Sequence, residues 1–124
     1  MGKVLCVGGI FFKSPNPEKL YEWYEKWLRF DISKQYGASF PIEAMPKKSV
    51  IAWSAFPETT KYFTPATKEF MFNLVVDNLD ETLGQVKEGG AEVIGNIQEE
   101  EYGRFGWFVD PDGNKVELWE PPSS

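Results

Sequence analysis

The chain has 124 residues, 42% hydrophobic and 26% charged, a length that suits one domain and a composition that excludes disordered, collagen-like and low-complexity classes. Thirteen Lys and Arg stand against nineteen Asp and Glu, a formal charge of −6; an acidic domain repels phosphate backbones, so nucleic acid is not an expected partner. With no histidine and one cysteine, a Ser-His-Asp triad, a Cys-His dyad, a thiolate zinc site and an internal disulfide are all excluded, and any proton transfer falls to Glu, Asp, Lys or Tyr.

Lys3 to Lys13 reads as a first strand with apolar residues on both parities, as expected where both sheet faces are covered, and places Cys6 at a buried position. Its apolar run, Val4 to Phe12, is broken by Gly8 and Gly9 and falls far short of the ~20 residues of a membrane span. It also lacks the charged start of a signal peptide, so a soluble cytoplasmic protein without a membrane partner is expected. Asn16 then caps a helix that Pro17 opens, with Leu20, Trp23, Tyr24, Trp27 and Leu28 on one face. Strands are expected at Phe30 to Tyr36 and Ser49 to Phe56, with a short one around Phe40 to Ile42.

Pro57 to Lys68 is polar and carries two prolines, which marks a linker. The element order then starts again. Phe70 to Val76 reads as a strand, and Asn78 leads a helix that bears Leu79, Leu83 and Val86 and ends at Gly89-Gly90. Glu92 to Ile97 is a strand, Gln98 to Glu101 an acidic loop, and Phe105 to Val109 a strand that reverses at Asp110-Pro111-Asp112-Gly113-Asn114 into Lys115 to Glu120. The fold class is therefore α+β, built of two βαβββ modules at about 1–58 and 68–120 with a linker at about 59–67. Neither module buries a sufficient core alone; pairing their sheets completes one.

The stretch Tyr102 to Pro121, with Asp110-Pro111-Asp112-Gly113-Asn114 followed by Glu117-Leu118, resembles the closing hairpin of the vicinal oxygen chelate superfamily. That superfamily contains glyoxalase I, extradiol dioxygenases and the fosfomycin- and bleomycin-resistance proteins. Val75 to Asp80 resembles its strand-to-helix entry, and Asn16 to Leu20 with Trp23-Tyr24 its first helix. The resemblance implies that the two modules form one curved mixed sheet, a cup with the helices on its outer face, and that the chain pairs as a homodimer. In members that use a divalent metal, four strands each supply one ligand. By that alignment the positions here are Gly9, Ile51, Met71 and Glu117, of which only Glu117 offers oxygen; Asn73 comes within reach by a one-residue slip. No metal or other cofactor is expected.

Strand parity names the side chains that would line such a cup. Glu117 shares its face with Lys115 and Trp119, and pairing across the reversal sets Trp107 opposite Glu117 and Phe105 opposite Trp119. Phe11, Trp53, Met71 and Asn73 join them on the parities that the alignment implies. Rings around one carboxylate suit a flat or cationic small molecule. Three readings stay open: a metal-free binding protein of the bleomycin-resistance type; a lyase or isomerase of the glyoxalase type with Glu117 as general base and Tyr102 assisting; and an interaction domain whose cup is filled by its own side chains.

Overall fold

Two helix starts set the frame of the computed structural model, which describes residues 1–47 and 49–123. The Asn16 side chain accepts from the Lys19 amide at 3.2 Å and Pro17 fills the first helical position of α1 (Pro17–Leu28). Asn78 does the same for α2 (Leu79–Glu88), accepting from the Glu81 amide at 3.0 Å. The chain runs α1, β1 (Ile32–Ser33), β2 (Gly37–Ala38), a 3-10 turn at Ile42–Ala44, β3 (Phe72–Val75), α2, β4 (Glu92–Glu100), β5 (Gly103–Val109) and β6 (Lys115–Glu120). β1 and β2 form a two-stranded hairpin; the other four strands make a mixed sheet in the order β3-β6-β5-β4, with β3 parallel to β6. Among the described residues no helix is long and apolar enough to cross a membrane.

The core lies between that sheet and α2. Leu79 and Val86 of the helix meet Phe108, Val116 and Leu118 of the central strands, all fully buried. Gly106 leaves room for the contact: a Cβ there would stand 2.9 Å from Leu83 Cδ1. α1 docks at the far end of α2, where Trp23 Nε1 donates to the Gly89 carbonyl at 2.9 Å and Gln85 Nε2 to the Trp27 carbonyl at 2.8 Å. Leu20 and Tyr24 are its buried residues.

Several expected elements differ. Residues 3–13 and 49–56 form no strand, and Phe40 to Ile42 leads into a 3-10 turn instead of a strand. Leu5 is 91% exposed and Trp53 83%, so a strand with apolar residues on both parities finds no cover within the single chain, and an uncovered pair is at best marginal in water. Cys6 is exposed, not buried, because it belongs to that segment. The expected acidic loop at Gln98 to Glu101 is mostly strand: β4 continues to Glu100, pairing Glu99 with Arg104 after a register shift between Ile94 and Gln98. Gly95, at φ +65°, supplies the left-handed backbone within that irregular stretch.

Candidate functional site

The alternation of β6 sends Val116 and Leu118 into the core and Lys115, Glu117 and Trp119 to the opposite face. Register then brings partners to Glu117 from both sides: Trp107 opposite it on β5 and Asn73 opposite it on β3. Trp107 Nε1 donates to Glu117 Oε2 at 2.9 Å, and Asn73 Nδ2 donates to Oε1 at 2.7 Å. Phe105 pairs with Trp119, their rings stacked 6° from parallel with centroids 6.3 Å apart. Tyr102 meets Phe105 edge-on at 5.7 Å, and its carbonyl accepts from Trp119 Nε1 at 2.9 Å.

A residue that sequence reasoning missed closes the arrangement. Tyr62, in the segment between the two halves, donates its hydroxyl to Glu117 Oε2. Its ring stands edge-on to Trp107, centroids 6.4 Å apart, and stacks on Phe56 at 5.7 Å. Lys115 Nζ donates to the Tyr62 carbonyl at 2.6 Å and lies 5.0 Å from the Tyr62 ring centroid. Burial, then the bond to Glu117 and its charge, push the Tyr62 phenol well above the ordinary tyrosine range. Burial pulls the Lys115 ammonium below its ordinary range while the Glu117 charge acts against that shift. The only hint of Tyr62 in the sequence is a pair of aromatics, Tyr62-Phe63, inside an otherwise polar stretch.

Of the expected lining, the chain thus brings together Glu117, Asn73, Trp107, Phe105 and Trp119. Phe11 and Trp53 do not join them: Phe11 is 95% exposed and Trp53 lies in the irregular segment described above. Phe11 and Met71 instead line a separate groove of about 440 Å³ with Phe12, Phe70 and Phe72. Tyr102 sits at the β4–β5 turn, and no hydrogen bond links it to Glu117 among the described residues. The same residues contain no cluster of three or more Cys, Asp or Glu side chains arranged to hold a metal ion.

A family model described as a glyoxalase-like domain matches residues 9–119. No curated protein matches with significance. Among solved structures, TnmS3, an antibiotic binding protein from Streptomyces sp. CB03234, is 24% identical, with 88% of this chain and 89% of that one covered at a TM-score of 0.53. TioX from Micromonospora sp. ML1 is 14% identical, covering 86% and 91% at 0.52. A member of the glyoxalase/bleomycin resistance protein/dioxygenase superfamily from Sphaerobacter thermophilus DSM 20745 is 21% identical, covering 85% and 88% at 0.50. These three likenesses are likenesses of fold.

Proposed function

Since the chain belongs to the glyoxalase-like domain family of the vicinal oxygen chelate superfamily, we propose that it is a binding protein. On this reading it holds a small aromatic or cationic molecule against the β5–β6 face, without a metal and without chemical change. The observation that carries the reading is the surroundings of Glu117. Both its oxygens accept hydrogen bonds, from Asn73, Trp107 and Tyr62, in the middle of a face of aromatic rings. A carboxylate oriented by three donors, with one lone-pair position on Oε1 still open, is a fixed anchor for a guest's donor group. The same set does not fit a divalent ion, which takes several oxygen ligands, whereas Glu117 is met here by an amide N–H, an indole N–H and a phenol O–H. That one fold neighbour is an antibiotic binding protein agrees with a sequestering role.

A homodimer belongs to the same proposal. Residues 3–13 and 49–56 carry strand-like apolar patterns and lie largely exposed; a second copy of the chain that covers them would let both halves pair into one cup. The test of the binding role is titration calorimetry with tryptophan fluorescence against a set of small aromatic and cationic compounds. Binders are expected, and Glu117→Gln should weaken them by about ten- to a hundredfold, the worth of a hydrogen bond to a charged acceptor. Absence of any binder, equal affinity in Glu117→Gln, or a stoichiometric metal in the freshly isolated protein would overturn it.

A further inference from the structure

Tyr62 occupies the place a guest would take. Its hydroxyl reaches Glu117 and its ring lies edge-on to Trp107, two contacts that a bound aromatic molecule would make with the same face, and Phe56 stacks behind it. The strap that carries it, residues 57–69, contains neither helix nor strand. Its own backbone bonds are local turns, from Thr60 to Pro57, Thr64 to Lys61 and Ala66 to Phe63. Among the described residues, the hydrogen bonds that tie the strap to the sheet both run through Tyr62, its hydroxyl to Glu117 and its carbonyl from Lys115. Tyr62 is 39% exposed, so it sits at the mouth of the site and can swing out without opening the core between the sheet and α2.

Resting on the binding role argued above, we propose that Tyr62 is a displaceable internal occupant, and that the ligand is of the class that reproduces it: a neutral planar ring bearing a hydroxyl donor. The neighbouring charge decides between neutral and cationic guests. Lys115 Nζ is 5.0 Å from the Tyr62 ring centroid and 5.9 Å from that of Trp107. The ammonium there offsets the Glu117 charge, so the slot has little net attraction for a second cation, while Glu117 accepts an O–H from a neutral guest as it does from Tyr62. The ligand leaves the slot as Tyr62 returns, so its affinity is set by the difference between the two occupants.

The experiment uses the full chain as wild type, Tyr62→Ala and Tyr62→Phe, with 4-methylphenol, its methyl ether 4-methylanisole and 4-methylbenzylammonium as probes. Removing the occupant should tighten 4-methylphenol by about tenfold in Tyr62→Ala, and the ether and the ammonium should bind that variant about tenfold more weakly than the phenol. Tyr62→Phe, which keeps the ring and loses the donor, should fall between. In the wild type, 4-methylphenol should speed tryptic cleavage after the exposed Lys61 several-fold as the strap lifts, and this arm decides alone if far-UV dichroism shows Tyr62→Ala to be unfolded. Equal phenol affinity in wild type and folded Tyr62→Ala, equal binding of phenol and ether, or unchanged or slower cleavage overturns the occupant while leaving the binding role standing if other aromatic compounds bind in a Glu117-dependent way. No binding of any compound to any of the three proteins removes both.

Discussion

Asp110 holds the reversal between β5 and β6 together and ties it to the first helix. Its Oδ1 accepts from the amides of Asp112 and Asn114, each at 2.9 Å, which closes the turn; its Oδ2 accepts from Asn114 Nδ2 at 3.0 Å and from the Tyr24 hydroxyl at 2.7 Å. One carboxylate thus shapes the turn and fastens it to α1. Tyr24→Phe should cost about 1–2 kcal/mol in urea denaturation, because Asp110 keeps its three other donors. A second signature lies in the pH dependence. Burial, then the charge and hydrogen bond of Asp110, raise the Tyr24 phenol far above its ordinary 10, so the folded chain keeps a proton that the unfolded chain releases. The stability this provides is whole well below pH 10 and falls as pH rises through and beyond it, the slope approaching about 1.4 kcal/mol per pH unit. In Tyr24→Phe the loss between pH 10 and 11 should be smaller by about 1 kcal/mol; parallel denaturation curves for the two proteins would show that Tyr24 does not titrate on unfolding.

At the scale of elements, what could be read from the sequence divides by whether its signal is local. Both helices carry their own start, an Asn cap with Pro17 or an acidic first turn behind it, and the β5–β6 pair carries a reversal that fixes register, so Trp107 opposite Glu117 and Phe105 opposite Trp119 follow by counting. Asn73 reaches Glu117 through parallel pairing of β3 with β6, which parity anticipates. Tyr62 was not legible, because it arrives from a segment without periodicity and its place depends on a contact 55 residues away. The acidic loop expected at Gln98 to Glu101 fails for a related reason, since β4 runs on to Glu100. Three consecutive acids read as a solvated loop, yet Arg104 opposite Glu99 lies 3.6 Å from its carboxylate and 2.9 Å from that of Asp80, which relieves the crowding of like charge. The hairpin's tight end is testable at Gly103. At φ +134° a Cβ there would stand 2.5 Å from the Glu120 carbonyl and also strike the Trp119 indole nitrogen. Gly103→Ala should therefore destabilise the chain by at least about 2 kcal/mol in urea denaturation and free Trp119 from the Tyr102 carbonyl, seen as a change in tryptophan emission. An unchanged midpoint would mean that the β5–β6 end yields without cost.

The whole molecule leaves its amino-terminal half unfinished in a way the other half does not. Residues 72–120 bury Leu79, Val86, Phe108, Val116 and Leu118 completely, while Val4, Leu5, Phe11 and Trp53 stay open to water. The repeat of element order read from the sequence sees two equal modules; it cannot see that residues 3–13 and 49–56 stay uncovered in the single chain. If a second copy supplies the cover, the balance of forces makes a distinctive prediction. Each chain carries a net charge of −6, so two copies repel one another, whereas the surface they would bury is apolar. Screening weakens the repulsion, with a Debye length near 30 Å at 0.01 M salt and about 8 Å at 0.15 M. Association should accordingly tighten as salt is added, the reverse of an interface held by ion pairs. Sedimentation equilibrium at micromolar protein should show twice the mass of one chain, with a dissociation constant that falls between low and physiological salt. The double substitution Phe11→Glu and Trp53→Glu should return the mass to that of a single chain with unchanged far-UV dichroism, since neither side chain touches the core around Phe108. A wild type that sediments as one chain at every salt concentration would leave those apolar side chains without a partner of their own kind.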